Sequence, residues 1–147
     1  MTATSHALIG TVIAAKIGNP ALAIPLALAS HVAADMIPHW DTASNRKTKS
    51  WNRLFIDSAF DGLLALTLSY SILVLLFPST NYLYALFIIF FAILPDLLHI
   101  PYTIFGIKQF KWAYEFGKRT NINLDKPWGV ITQIVTVVIV IFLAKIF

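Results

Sequence analysis

Cysteine is absent, which excludes disulfide frameworks, thiolate metal sites and cysteine nucleophiles. Charge is scarce: only 12% of the 147 residues are Asp, Glu, Lys or Arg, about half the ~25% of an average soluble domain. So few charged groups cannot cover a water-soluble globule of this size. Disorder is excluded by the opposite property, because disordered chains are poor in apolar residues and this one is 58% hydrophobic, with a mean hydropathy of +0.74. No basic run exceeds a few residues, so nucleic acid is not an expected partner despite the net charge of +4. The first five residues hold no Lys or Arg, so a cleavable signal peptide is not expected. What remains is one integral membrane domain, in which the polar residues can be weighed one by one.

Five apolar segments are readable: 5–17, 20–37, 54–77, 82–100 and 128–147. The first has 13 residues, ~20 Å as a helix against a ~30 Å hydrocarbon core. It is therefore a shallow span or one arm of a hairpin with the second. Pro38, Pro78 and Pro101 stand at the ends of the second, third and fourth. The last is rich in Val and Ile, but a closed barrel needs many alternating strands. The expected fold is thus all-α: a polytopic membrane bundle of about five transmembrane or partly spanning helices. A short interfacial helix is added within 107–117, where Ile107, Phe110, Tyr114 and Gly117 share one face and Lys108, Lys111, Glu115 and Lys118 the other.

The loops 42–53 and 101–126 carry most of the Lys and Arg, and with five spans they fall on one side. The positive-inside bias makes that side cytoplasmic, with the N-terminus inside and the C-terminus outside, as in a bacterial-type inner membrane.

All four histidines (His6, His31, His39, His99) and five of the seven acids (Asp35, Asp41, Asp57, Asp61, Asp96) lie in or beside apolar segments. Ionisable groups in spans are expensive and by default functional. On the expected topology all nine sit at one depth, the cytoplasmic rim. Their spacings are those of ligands. His31-x3-Asp35 shares one helix face, His39 follows four residues on, Asp57-x3-Asp61 pairs two carboxylates, and Asp96-x2-His99 repeats the pattern. Imidazole with carboxylate is the ligand set of zinc, manganese or iron, and helix bundles build di-metal centres from such pairs. The ligand candidates are His6, His31, Asp35, His39, Asp61, Asp96 and His99, with two Zn ions the first expectation and Mn or Fe the others. Asp57 is a ligand or the base that activates water. Asp41 orients His39 or caps a helix. Arg46, Lys47, Lys49 and Arg53 are topology determinants or a grip for a substrate phosphate. Plainer readings remain beside these: His31–Asp35 as a buried ion pair, and Asp57–Asp61 as a proton or sodium site.

The pattern Ser5-His6-Ala7-Leu8-Ile9-Gly10, then His31-x3-Asp35-x2-Pro38-His39-Trp40-Asp41, then Leu94-Pro95-Asp96-Leu97-Leu98-His99, resembles the family of small membrane-bound metal-dependent hydrolases that includes LexA-regulated bacterial inner-membrane proteins. The resemblance runs from Ser5 to about Pro101. It implies a helical membrane protein with an N-terminal histidine ligand and Pro-Asp-x-x-His-type ligands. Many members also carry a His-Arg-Gly-x-Thr-His-Ser stretch that is absent here; either the chain is a divergent branch or Asp57 and Asp61 fill that role. Locally, His31-x3-Asp35-x2-Pro38-His39 is similar to the ligand helix of zinc-dependent phospholipase C and the single-strand-specific zinc nucleases, which implies zinc ligation by His31, Asp35 and His39.

The expected function is a membrane-embedded hydrolase of a phosphoester (a phospholipid, lipid phosphate or polyprenyl phosphate) at the cytoplasmic face, with membrane lipids as partners. The alternative is a metal- or proton-coupled transporter, or a metal-binding membrane subunit without hydrolysis. Thr67, Ser69 and Ser71, with Thr132, Gln133 and Thr136, are the material such a transporter would have for a path to the far side.

Overall fold

The computed structural model describes residues 1–42 and 49–147. Among these the chain is helical without a named strand: α1 (Ala3–Lys16), α2 (Pro20–Asp35), α3 (Trp51–Leu76), α4 (Tyr82–Phe105), α5 (Lys111–Thr120) and α6 (Trp128–Ile146), with a 3-10 turn at Lys108–Phe110 leading into α5. Three of them, α3, α4 and α6, are long and apolar enough to cross a membrane. Their outer faces carry large apolar side chains such as Leu66, Leu75, Leu83, Phe90, Ile139 and Phe142. A surface of that kind is at home in hydrocarbon, where helices satisfy their own backbone polar groups.

The centre of the bundle is the shortest of the candidate spans. α1 has 14 residues and so extends ~21 Å, yet every residue from Ser5 to Ala14 is buried, and α2, α3, α4 and α6 all pack on it. Its sequence explains this. It is apolar around nearly its whole circumference, the pattern of an enclosed helix, and Ala7, Gly10 and Ala14 admit close neighbours. A Cβ added at Gly10 would stand 2.8 Å from Ala92 Cβ and 3.2 Å from Ile89 Cα, so α1 and α4 nearly touch there. Gly10→Ala is therefore expected to cost about 1–3 kcal/mol, as overpacking does. The check is thermal unfolding in detergent, and an unchanged midpoint contradicts this packing.

The ends of α1 are held from outside. At its start the Thr2 side chain accepts from Ser5 N. The Asp61 carboxylate accepts from Ala3 N (2.8 Å), Thr4 N (3.1 Å) and Thr4 Oγ1 (2.6 Å). At its finish Tyr84 Oη donates to Ile17 O at 2.5 Å. α2 begins with Asn19 as cap and Pro20 at the first turn. α4 does not stop at Pro101, as the sequence suggests, but runs through Pro95 and Pro101 to Phe105. The prolines remove single donors from the ladder. The helix ends instead at Gly106, whose φ of 67° is the left-handed conformation glycine adopts freely.

The amphipathic stretch expected at 107–117 is present as the 3-10 turn and α5. It packs on α4 through buried Ala113 and Gly117, and Tyr114 lies against Tyr102 with ring centroids 5.3 Å apart. Ile107, at its start, is exposed.

Candidate metal centre

One end of the bundle gathers the start of α1, the end of α2 and the Asp96 turn of α4. His6 and His31 stack face to face, with ring centroids 3.8 Å apart and planes at 16°. Asp96 approaches both: its Oδ2 is 4.0 Å from His6 Nε2 and its Oδ1 3.6 Å from His31 Nε2. One ligand atom from each of His6, His31 and Asp96 falls within 4.8 Å of the others. Donors ~2.1 Å from one tetrahedral ion lie ~3.4 Å apart, so the His31–Asp96 distance is close to that spacing and the His6–Asp96 distance is wider. These three residues form a group able to hold a metal ion.

Two further ligand-type residues adjoin it. Asp35, on the last turn of α2, places Oδ1 3.1 Å from His6 Nε2 and 3.8 Å from His39 Nε2, and Oδ2 3.3 Å from His31 Nε2. The Met1 amino group also meets Asp35 Oδ1. His39 is fully buried and fixed by the backbone around it. Its N–H donates to Ile122 O at 3.0 Å, its carbonyl accepts from Leu124 N, and Trp40 N donates to Gly129 O at 3.0 Å. Gly129 permits this strap, since a Cβ there would strike Leu124 O, Trp40 N and the His39 carbonyl carbon.

The tautomers are set by carbonyls, which only accept. His31 Nδ1 donates to Ala92 O and His39 Nδ1 donates to Ile37 O, each at 2.7 Å. Nδ1 therefore carries a proton in both rings, which leaves Nε2, on the side of the carboxylates, as the position that would meet an ion, the arrangement by which a supporting hydrogen bond orients a metal-ligating imidazole. Burial pushes the His39 pKa below its usual range, which keeps the ring neutral. His39 Nε2 and His6 Nδ1 are buried without a hydrogen-bond partner among the described residues. Buried nitrogens are seldom left so; an ion or a water would satisfy His39 Nε2, whereas His6 Nδ1 is directed away from the Nε2 that faces Asp96. The Asp96 side chain keeps 36% of its surface exposed, so the group opens on the α4 side.

The other sequence candidates are elsewhere. Asp61 is on the opposite flank of α1, engaged with the backbone of Ala3 and Thr4. Asp57 pairs with Lys49 (3.3 Å) and Arg53 (2.9 Å) and stands apart from the histidines. The packing explains this: α3 meets α1 on a flank other than the one facing α2 and α4. The roles of water activation and phosphate grip read from spacing thus find these three residues bound to one another. His99 packs its ring on Gly117 of α5 and lies outside the His6–His31–Asp96 group. Asp41 accepts from Thr42 Oγ1 at 3.2 Å and is near enough to bear on His39. Arg46 and Lys47 lie outside the described residues.

Sequence reading missed the support given by Gln133. Its Oε1 accepts from Ser5 Oγ at 3.1 Å and its Nε2 donates to Trp40 O at 3.3 Å, linking α6 to the turn of α1 beside His6. A lone amide inside a Val/Ile run was the available signal. Thr67, Ser71 and Thr136 return their hydroxyls to carbonyls of their own helices, so they are engaged locally rather than lining a path.

No protein-family model matches the chain, and neither curated proteins nor solved structures show a significant match.

Proposed function

We propose that the chain is a membrane-embedded metal-dependent hydrolase acting on a phosphoester, in keeping with the family its motifs resemble. The observation that carries this reading is the meeting of His6, His31 and Asp96, with Asp35 and His39 beside them and Asp96 open to the outside. Three protein ligands with a vacant direction is the form of a catalytic rather than a structural site. Asp35 reaches different histidines with its two oxygens and would add a carboxylate to the donor set. Zinc is the first choice, with manganese and iron compatible with the same donors. A divalent ion so held would lower the pKa of water and polarise a phosphoryl oxygen.

His31 and His39 would contribute Nε2, their Nδ1 being held by backbone carbonyls. With Asp57 held by Lys49 and Arg53, taking the proton from water falls to a carboxylate within the cluster. The basic loops favour an anionic substrate, and the apolar surround favours one delivered by the bilayer: a phospholipid, lipid phosphate or polyprenyl phosphate. The proposed setting is a bacterial-type inner membrane with about five spanning or partly spanning helices, N-terminus inside and C-terminus outside.

The test is phosphate release from a panel of lipid phosphates by the purified chain loaded with its native metal. Release is expected to be chelator-sensitive, to fall to background in His31→Ala and to persist in Asp57→Asn. Stoichiometric metal without release from any substrate contradicts hydrolysis. Metal flux into liposomes in its place establishes the transporter reading.

A further inference from the structure

A cavity of about 860 Å³ lies apart from the histidine cluster. It is a groove between α3 and α6, floored by the first turns of α1. We infer that it binds one phospholipid with an anionic headgroup, its acyl chain in the groove and its phosphate at the mouth, independently of any metal chemistry.

The mouth is cationic. Lys49, Arg53 and Lys126 line it with Asp57 and Asp61, so positive charge is in excess. Asp61 is already saturated by the N–H groups of α1. Lys49 and Arg53 share the single carboxylate of Asp57. Lys126 pairs with no carboxylate among the described residues and rests 3.8 Å from the centroid of the Trp40 ring. A lysine over an indole at a membrane edge, beside two further cations, is suited to a lipid phosphate.

Beyond the mouth the walls become apolar: Leu64 and Leu68 on α3, Ile134, Val138 and Ile141 on α6. From Val130 to Ile141 the groove follows α6 for ~16 Å at ~1.5 Å per residue, close to half of the ~30 Å hydrocarbon core. It is therefore one leaflet deep, polar at one end and apolar to the other. Past its apolar end Lys145 Nζ donates to Leu76 O at 3.2 Å. A groove open at the headgroup level and one leaflet long fits a lipid chain entering from that leaflet. A small polar solute would leave most of it unfilled.

The test is native mass spectrometry of the full chain in detergent, incubated with equal amounts of phosphatidylglycerol and phosphatidylcholine of identical acyl chains. One phosphatidylglycerol is expected to be retained with roughly tenfold preference, and excess glycerol phosphate should not displace it. Lys126→Gln, a surface change that leaves the core intact, should reduce the preference several-fold. Ile134→Trp should fill the groove and reduce retention of both lipids. Metal content should remain at the wild-type level in both variants, which separates this result from the fate of the metal centre. Equal retention of the two headgroups, displacement by glycerol phosphate alone, or wild-type retention in Lys126→Gln overturns the inference.

Discussion

His31→Ala is expected to strip the purified protein of its transition metal. Wild type should carry a stoichiometric ion, and the variant should bind it at least two orders of magnitude more weakly. Loss of a partner that merely supports a ligand already costs ~10–100-fold, and His31 offers a direct donor. It stacks on His6, reaches Asp96 at 3.6 Å and has its tautomer fixed by Ala92 O. Because alanine also removes that packing, Asp96→Asn provides a second reading. It keeps the shape, takes away the carboxylate charge and should weaken binding in the same direction. His99→Ala should leave the metal in place, since that ring packs on Gly117 instead. Metal loss in His99→Ala with retention in His31→Ala would reverse the assignment.

Asp61→Ala is expected to destabilise the bundle by about 2–4 kcal/mol while leaving metal stoichiometry intact. The carboxylate satisfies two backbone donors at the N-terminus of α1 and the Thr4 hydroxyl. Removing it leaves those donors without their acceptor in a largely buried place, in addition to the ~1 kcal/mol that a helix cap is usually worth. For a chain of this size the loss corresponds to roughly 5–12 °C in Tm. Asp61→Asn, which keeps one acceptor oxygen, should fall between. Unchanged stability accompanied by metal loss would instead make Asp61 a ligand.

The contrast between Asp61 and Asp96 shows what was legible in the sequence. Apolar runs and their Pro and Asn punctuation indicated an all-helical membrane chain, and α2, α3, α4 and α6 lie close to the expected segments. Helical spacing puts His31 and Asp35 on one side of α2, and His39, past the end of that helix, comes near the same carboxylate. Spacing cannot tell which flank of a central helix a neighbour occupies. Asp57-x3-Asp61 has the same i, i+4 geometry as His31-x3-Asp35, yet α3 brings its pair to a different flank of α1, where backbone N–H groups claim Asp61. The enclosure of α1 was equally hidden. A 14-residue helix looks too short to be central until the bundle is built around its small residues. The same limit applies to the α3–α6 groove. Lys126 and Arg53 are 73 positions apart in the chain, and only packing on α1 brings them to one mouth.

The central claim, that the His–Asp cluster holds a metal, is tested most directly by metal-edge X-ray absorption on the purified chain, with elemental analysis of the same sample. The account predicts a stoichiometric first-row ion with only nitrogen and oxygen ligands at ~2.0–2.2 Å, imidazole scattering in the outer shell, and loss of that signal in His31→Ala. A protein without stoichiometric transition metal, or a spectrum identical in wild type and His31→Ala, would contradict it.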